Sequence, residues 1–511
     1  MMPHLLQTRL VIGSFALVSA VGQVPTAAAV APKLEPATVA ALVRRAHEQF
    51  RPTGLAVAVV QDGAVLGEFV HGERRDGEPI TPTTLFNIAS CSKAFTAALL
   101  AQLVSERRLA WNDPVVERLP EFRLADPWIT AHMTLADLLS HRCGLKTFAG
   151  DLLWYGTSYP ETEVLMRMAR LPITQRFREE FGYQNLMYMA AGMVLQRATG
   201  KSWEDLLEER LLRPLGMDAS RASAQRLPAG AEIALPHIDG KPVADHLFTA
   251  AKAAASVYSS VRDLTAWMRM LLANGRWQEQ VVLAPAALAE MWRPHVGIGG
   301  GSGATTDDLR GYGMGWFLYV EHGNKLVEHD GGMPGFLSKV SLLPAEQFAF
   351  VVLNNGNDGI VNEAIKRALL VARNGGNGEA EIDRLATVAG RIHARDRAAV
   401  AKREAARQAG TTPSLSLAAY AGHYRDAILG DAEVALVDGQ LQVVLLPARE
   451  RMHGPLQHWH HDVFRCDFPD RFLPFALFRF ELDSDGKVAG FRIDCPIADF
   501  DFGALDFRRV E

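Results

Sequence analysis

Cysteine is scarce in this sequence, with four residues in 511. So few cysteines exclude a fold that is built on disulfides. An excess of one charge is also lacking, because 53 lysines and arginines stand against 58 aspartates and glutamates, for a formal net charge of −5. A chain without a strongly basic balance is a poor candidate for nucleic-acid binding, and we expect no nucleic-acid partner.

Long apolar runs are missing after the N-terminus. There, His4 and Arg9 precede the run LVIGSFALVSAVGQV, and small residues follow at 26–29. This order is typical of a secretory signal peptide, and about 15 apolar residues are few for a membrane span. We therefore predict a signal peptide over residues 1–29 and a periplasmic or secreted mature chain without a membrane span. An N-terminal membrane anchor is the alternative.

The order of apolar patterns predicts three further parts. Residues 30–374 contain strands, then helices, then strands and a helix, which is an α+β order in which strands distant in sequence share one sheet. A charged, alanine-rich segment over residues 375–412 predicts a helical linker. Residues 413–511 contain short apolar runs separated by turn residues, and they predict a small all-β domain, either a sandwich or a barrel.

Local patterns predict particular turns and caps. Asp62-Gly63 between two apolar runs indicates a β-hairpin. Thr134 and Asp137 have the spacing of a capping box at the start of a short helix. Residues 313–355 predict three β runs, and the glycine-rich stretch GIGGGSGATTDD predicts a mobile loop.

The first chemical motif is Ser90-Cys91-Ser92-Lys93, which opens a long helical pattern in FNIASCSKAFTAALLAQL. Residues three apart on a helix share a face, so the Lys93 amine can lie over the Ser90 hydroxyl as a base beside a nucleophile. The free N–H groups and partial positive charge of a helix N-terminus would favour the alkoxide. Taken alone, the motif is more typical of an N-cap serine followed by a surface lysine.

Two more motifs follow in order. Phe181-Gly182-Tyr183-Gln184-Asn185 contains Y-x-N, and His329-Asp330-Gly331 forms H-x-G on a predicted strand. Singly, each fits a packed tyrosine or an ordinary strand histidine. Together with S-x-x-K, they resemble the serine β-lactamase and penicillin-binding-protein family, particularly class C β-lactamases and their esterase and D-aminopeptidase relatives. The resemblance is carried, over roughly residues 35–372, by FNIASCSKAFT, MTLADLLSHRCGL, FGYQNLMYMAAG, YGMGWF and EHDGGMPGF.

The resemblance implies a β-lactamase/transpeptidase-like antiparallel sheet flanked by helices, with a helical subdomain. It also implies that Ser90 is acylated, that Lys93 and Tyr183 share proton transfer, and that Asn185 bonds Lys93 and the substrate amide. Backbone N–H groups of Ser90 and Gly332 would form the oxyanion hole. The segments PSLSLAAYAGHYRD and QHWHHDVF resemble the lipocalin-like C-terminal β domain that some of these hydrolases carry.

The third motif bears on the substrate. His329 stands where many relatives have the lysine of K-T-G, so we predict a catalytic role for it and the loss of a permanent cation that holds substrate carboxylates. Asp330, Gly331 and Gly332 are predicted to contact the substrate. A cleft-facing Asp330 would favour ammonium-bearing or neutral substrates, but the alternation of side chains along a strand leaves open that it faces away.

The general base has two candidates at this stage. Lys93 is a useful base only if burial lowers its pKa by a few units from about 10.4. Alternatively, Lys93 stays charged and lowers the pKa of Tyr183, which then acts as the phenolate. The sequence leaves both open.

The C-terminal region raises two further possibilities. Cys466 and Cys495 would be able to pair after export, although spacing alone does not fix their geometry. A histidine group suggests a metal site, but ordinary strand positions fit better because no second ligand group has zinc-like spacing. We expect no metal and no organic cofactor. The histidines are His453, His458, His460 and His461.

Together these observations predict an exported serine hydrolase. It would cleave amide or ester bonds of small molecules or short peptides, including peptides with D-residues, through a Ser90 acyl-enzyme. The alternatives are a β-lactamase or DD-carboxypeptidase, and a penicillin-binding or sensor protein that is acylated without turnover. The expected partner is a small-molecule or short-peptide substrate.

Overall fold

The computed structural model describes residues 33–299 and 309–510. The predicted signal peptide and most of the glycine-rich stretch lie outside these ranges. The described part contains a large antiparallel sheet flanked by helices, followed by a closed β-barrel, so the predicted fold class is confirmed. No helix in these ranges is long and apolar enough to cross a membrane.

The large sheet joins the two ends of the α+β domain. Val57 near the start of the domain lies opposite Val352 near its end, in the antiparallel register that the order of patterns requires. Within the described ranges the sheet has nine strands. From edge to edge they are Val296–Gly297, Arg310–Tyr312, Phe317–Glu321, Asn324–Met333, Phe336–Leu343, Phe348–Asn354, Gly54–Gln61, Ala64–Arg75 and Glu78–Pro79.

Side-chain alternation gives the central strands two apolar faces. Val57 and Val59 pack into one cluster with the helices Pro36–Phe50 and Ile360–Arg373. Alternate residues such as Ala58 join the main core on the other face, which the helical subdomain covers. Because both faces are buried, the strand Gly54–Gln61 is apolar along nearly its whole length.

The helical subdomain lies mainly between the second long strand and the strand at residue 296. The predicted capping box is confirmed: Thr134 accepts from the Asp137 N–H, and the Asp137 carboxylate accepts from the Thr134 N–H. The helices of the subdomain are Ser92–Ser105, Val115–Arg118, Pro127–His132, Leu135–Leu139, Glu161–Met168, Asn185–Thr199, Trp203–Leu207, the π-helical Glu208–Leu212, Arg213–Leu215, Lys252–Ala255, Val261–Leu272 and Pro285–Met291.

Two turns test the strands that were predicted from local patterns, and only one of them was predicted. The Asp62-Gly63 hairpin is confirmed, with φ angles of 54° and 76° that suit a tight two-residue turn. The prediction of three β runs over residues 313–355 is wrong, because the longest run is two strands that turn at Pro334-Gly335. Gly335 has a φ of 80°, a conformation that costs glycine little.

A long helix, Gly378–Ala405, leads from the α+β domain to the barrel. Asn377 caps its start by accepting from the Ala380 N–H. After the short helix Leu417–Tyr420, the chain enters a closed barrel that has eight strands in the described part. They are Gly422–Asp426, Gly430–Val437, Gln440–Leu445, His453–His460, Val463–Cys466, Ala476–Leu482, Val488–Asp494 and Phe507–Val510.

The barrel docks against the helical subdomain through specific bonds. Tyr159 donates its hydroxyl to the Leu429 carbonyl at 2.8 Å. Arg167 donates to the Ile428 carbonyl at 2.9 Å. The Ser158 N–H donates to the Pro447 carbonyl at 3.0 Å. These bonds hold the barrel loops against the α+β domain.

The cysteines do not form the Cys466–Cys495 disulfide that was considered above. All four are free, and Cys466 and Cys495 have different surroundings. Cys466 is enclosed in the barrel core, whereas the Cys495 thiol donates to the Pro474 carbonyl at 3.5 Å. The pairing that the sequence left open is therefore not formed, and both residues are buried thiols.

We expect all four thiols to be unreactive in the native protein. Burial raises the pKa of Cys91, Cys143 and Cys466 to about 12 and that of Cys495 still further, so little thiolate is present at neutral pH. Titration with Ellman's reagent should be slow in buffer and should give four thiols after denaturation without reductant. A value of two after denaturation would contradict this expectation.

Candidate active site

The Ser90 segment enters its helix through a constrained turn. Ala89 has a φ of 46°, an unusual value for a non-glycine residue, and its N–H donates to the Asn87 side chain at 2.7 Å. A 3-10 turn, Ala89–Cys91, then leads directly into the helix Ser92–Ser105. Ser90 is consequently held at the N-terminal end of a buried helix, as the sequence predicted.

The sheet fixes this turn from the other side. Ser338 donates to the Ile88 carbonyl at 2.7 Å, and the Cys91 thiol donates to the His329 carbonyl at 3.2 Å. A Cβ on Gly331 would lie 2.2 Å from the Ile88 carbonyl oxygen. Gly331, which was predicted to contact the substrate, is therefore required for the close approach of strand and nucleophile.

Lys93 is the polar centre of the site. Its amine is fully buried and lies 2.9 Å from Ser90 Oγ, 2.7 Å from Asn185 Oδ1 and 3.1 Å from the Ala254 carbonyl oxygen. Burial lowers the pKa of Lys93 to about 7, against the opposing effect of the Asp151 carboxylate. A substantial fraction of the amine is consequently neutral near pH 7.

Asp151 lies behind Asn185, and the sequence analysis missed it. Its two oxygens accept from the Asn185 amide at 2.6 Å and from the Trp154 indole N–H at 2.9 Å. Asp151 therefore orients the Asn185 amide so that its oxygen faces Lys93. Burial raises the pKa of Asp151 to about 7, although the two hydrogen-bond donors and Lys93 act to lower it. No motif marked this residue.

Tyr183 lies over the lysine. The Lys93 amine is 4.8 Å from the centroid of the Tyr183 ring, and the ring packs on His141 and Phe317. Burial raises the pKa of Tyr183 well above its ordinary value, with the Ser90 hydroxyl acting in the opposite direction. The tyrosine is therefore a phenol at neutral pH.

His329 does not present a free nitrogen to the site. Its Nδ1 lies 2.5 Å from the Asp330 carbonyl oxygen, which only accepts, so Nδ1 carries the proton and Nε2 accepts from the Tyr312 hydroxyl at 3.0 Å. Burial and the nearby Lys93 lower the pKa of His329 to about 3, so the ring is neutral. The ring packs against Tyr183 and Tyr312, and the catalytic role assigned to His329 from the sequence stays a prediction.

Asp330 faces away from the nucleophile. Its carboxylate pairs with Lys339 at 2.5 Å, directly across the strand pair, while the adjacent His329 side chain points to the opposite face. The predicted substrate contact of Asp330 is thus corrected by the alternation of side chains along the strand.

Both domains line the cavity in front of Ser90. Ser90, Asn185 and Gly332 belong to the predicted motifs, and Asp151 adds a carboxylate. The barrel adds a second carboxylate and two aromatic rings, which the sequence analysis did not anticipate because nothing local links them to Ser90. The full lining is Ser90, Phe148, Asp151, Trp154, Tyr155, Asn185, Ala255, Gly332, Met333, Pro334, Phe472, Asp499 and Phe500.

The C-terminal histidines make contacts within the protein. His458 Nε2 lies 2.9 Å from the His461 carbonyl oxygen, and His461 Nε2 lies 2.9 Å from the Gln408 amide oxygen. Among residues 33–299 and 309–510 no group of three histidine, cysteine or acidic side chains is arranged to hold a metal ion.

A serine beside a buried lysine, on a sheet of this topology, is the arrangement of the β-lactamase-fold serine hydrolases. The family model described as beta-lactamase matches residues 39–373, and the chain belongs to this family. The predicted resemblance is thereby confirmed. A second model, a domain of unknown function (DUF3471), matches residues 406–509.

Among curated proteins, the chain is similar to the unguisins hydrolase ungD' of Aspergillus campestris. The two are 30% identical over 335 residues, which is 62% of this chain and 61% of the fungal protein. The chain thus covers less than two thirds of that relative's length.

Two solved structures share the fold. The octameric penicillin-binding protein homologue from Pyrococcus abyssi has a TM-score of 0.59 and 20% identity, covering 93% of this chain and 100% of that one. A D-amino acid amidase from Ochrobactrum anthropi, solved with D-phenylalanine, has a TM-score of 0.54 and 22% identity, covering 68% and 98% of the two chains.

The pKa of Lys93 predicts how the reactivity of Ser90 depends on pH. If the neutral amine activates Ser90, labelling by a fluorophosphonate should rise about tenfold per pH unit below a midpoint near 7 and then level off. Asp151→Asn should move the midpoint to lower pH, because it removes a negative charge that favours the ammonium form. Intact-mass spectrometry at successive times gives the labelling rate.

Asp76→Asn, at an exposed turn, is the matched control for this measurement and should leave the midpoint in place. A labelling rate that does not vary between about pH 5 and pH 9 would contradict the assignment of Lys93 as the group that titrates.

Proposed function

We propose that this chain is an exported serine hydrolase that cleaves amide or ester bonds of small molecules or short peptides through a Ser90 acyl-enzyme. The observation that carries the proposal is the Lys93 amine, buried 2.9 Å from Ser90 Oγ with a pKa of about 7. The family membership and the names of the relatives, a hydrolase and a D-amino acid amidase, support it.

The hydrogen bonds of Lys93 favour it as the general base. Asn185 Oδ1 and the Ala254 carbonyl oxygen only accept, so they hold the two N–H groups of a neutral amine. The remaining lone pair is then directed at Ser90, whose hydroxyl donates to it. The amine is thereby oriented to take the serine proton.

Acylation would begin with the attack of Ser90 on the substrate. Ser90 Oγ bonds to the substrate carbonyl carbon while its proton passes to Lys93, and backbone N–H groups of Ser90 and Gly332 are the proposed oxyanion donors. The carbonyl–nitrogen or carbonyl–oxygen bond of the substrate breaks, and the leaving group receives a proton through the Tyr183 phenol, which Lys93 resupplies. Water cleaves the Ser90 ester and returns the enzyme to its first state.

The lining of the cavity favours neutral or cationic substrates. It contains two carboxylates, Asp151 and Asp499, and no lysine or arginine among its described residues. Such a cavity gives a substrate carboxylate no partner, so β-lactamase and DD-carboxypeptidase activities are less favoured. The proposed reaction needs no metal or organic cofactor.

A panel of three probes tests the proposal: p-nitrophenyl butyrate, D-alanine p-nitroanilide and nitrocefin. We expect the ester or the anilide to be turned over and Ser90→Ala to reduce that turnover by at least about 1,000-fold. Ser105→Ala, at the other end of the same helix, is the matched control and should retain activity. Product absorbance gives turnover, and intact mass detects the acyl-enzyme.

The remaining outcomes separate the alternatives. Nitrocefin as the preferred substrate would replace the proposal with a β-lactamase, and a stable Ser90 adduct without turnover would replace it with a penicillin-binding or sensor protein. Activity that survives Ser90→Ala would require another nucleophile.

A further inference from the structure

Two loops of the barrel reach the cavity that contains Ser90. One lies between the strands Val463–Cys466 and Ala476–Leu482 and contributes Phe472. The other follows the strand Val488–Asp494 and contributes Asp499 and Phe500. The C-terminal domain is therefore part of the wall that a substrate meets at Ser90.

The loop that carries Asp499 is held in place by the two residues that follow it. The Phe500 ring packs on Tyr155, with 4.3 Å between centroids. Asp501 forms an ion pair with Lys146 at 2.5 Å. Tyr155 also donates its hydroxyl to Asp470, at 2.7 Å, on the neighbouring barrel loop. Asp499 thus has a position fixed by the catalytic domain.

Asp499 is an unsatisfied carboxyl group. The residue is 6% exposed, and neither carboxylate oxygen has a hydrogen-bond partner among the described residues. Asp151, in the same cavity, has a donor on each oxygen. A buried carboxylate without donors is unfavourable, and native proteins rarely keep one without a function. Burial and the nearby Asp151 raise the pKa of Asp499 to about 7, and no hydrogen-bond donor acts in the opposite direction.

We propose that Asp499 is a specificity-determining residue that binds the ammonium group of the substrate acylated at Ser90. The substrates would then be amides or esters of amino acids and short peptides with a free amino terminus. This inference rests on the proposed function, because it names the substrate class of the same site. An α-amino nitrogen is two bonds from the carbonyl carbon, so its carboxylate partner must line the cavity that contains the nucleophile.

The cavity fits an ammonium ion better than other cations. Asp151 adds negative charge but is already bonded, so it strengthens the attraction without competing for the N–H donors. Aromatic rings form much of the remaining wall, and their faces attract cations while their area suits an apolar side chain. A metal ion would need further ligands, and the described residues supply no group of three.

Binding to an inactive variant tests the proposal without requiring turnover. Calorimetry of Ser90→Ala should show D-alanine amide binding about 10- to 100-fold more tightly than N-acetyl-D-alanine amide, which lacks the charge. Adding Asp499→Asn should remove this preference, because the side-chain shape is kept and the charge is lost. Adding Asp485→Asn, at an exposed turn of the barrel away from the cavity, should retain it.

The kinetic arm uses D-alanine p-nitroanilide and its N-acetyl form with the enzyme that carries Ser90. Asp499→Asn should lower kcat/KM for the free amine by about 10- to 100-fold and leave the N-acetyl substrate within about twofold. The melting temperature should not fall, because Asp499 has no bond to lose. This readout distinguishes lost recognition from lost folding.

The two arms separate this inference from the proposed function. Equal affinities of Ser90→Ala for both amides, no binding of D-alanine amide at millimolar concentration, or a preference that survives Asp499→Asn would overturn the inference while Ser90-dependent turnover stands. Absence of turnover with a charge preference that depends on Asp499 would overturn the proposed reaction and retain the ammonium site.

Discussion

A lysine amine enclosed by protein is the constraint on which this site depends. Lowering the pKa of Lys93 from 10.5 to about 7 corresponds to roughly 5 kcal/mol against the charged form. The folded state tolerates the amine because three oxygen partners surround it, from Ser90, Asn185 and Ala254. Each oxygen comes from a different element: the 3-10 turn that bears Ser90, the helix that begins at Asn185, and the short helix that contains Ala254. These three elements must therefore meet at one point.

The supporting groups tune the same amine. The Asp151 carboxylate raises the pKa of Lys93 against the effect of burial, and it orients Asn185. Because burial also raises the pKa of Asp151 to about 7, both groups titrate in one range, and neither can be treated as a fixed charge. Tyr183, with a raised pKa, stays a phenol, so under the proposed function it would act as a proton donor rather than as a phenolate base.

The parts of the site that could be predicted lie in short motifs. Ser90 and Lys93 are one helical turn apart, and helix geometry alone brings them together. Tyr183 and Asn185 required the resemblance to a family, because their contact with Lys93 is made by the tertiary fold. The hairpin at Asp62-Gly63 followed from turn chemistry. The turn at Pro334-Gly335 carried the same kind of signal and was missed within a longer apolar run.

The sequence did not predict which way the side chains of the third motif point, or which distant residues meet at the cavity. Asp330 and His329 are adjacent, and their side chains point to opposite faces of a strand, a choice that the sequence leaves open. Asp151 and Asp499 lie in no motif. Asp499 reaches the cavity only because a separate barrel docks there, through contacts such as Tyr155 with Asp470 and Phe500. Docking surfaces of this kind have no periodicity that a sequence pattern would reveal.

The division of the site between two domains has a physical consequence for substrate selectivity. Under the proposed function, the catalytic domain supplies the nucleophile, the base and the proton path, whereas the charge that would choose the substrate comes from the barrel. A carboxylate in an enclosed, aromatic cavity acts through a low dielectric, so its effect on an ammonium group is larger than at an open surface. That effect depends on the barrel staying docked. Arg451 helps to fix it by bonding Asp470 at 3.0 Å and the Asp245 carbonyl at 3.1 Å, so one side chain links the barrel loop to the catalytic domain. If Asp499 binds the substrate as proposed, the selectivity of the site is a property of the domain interface as much as of the motif residues.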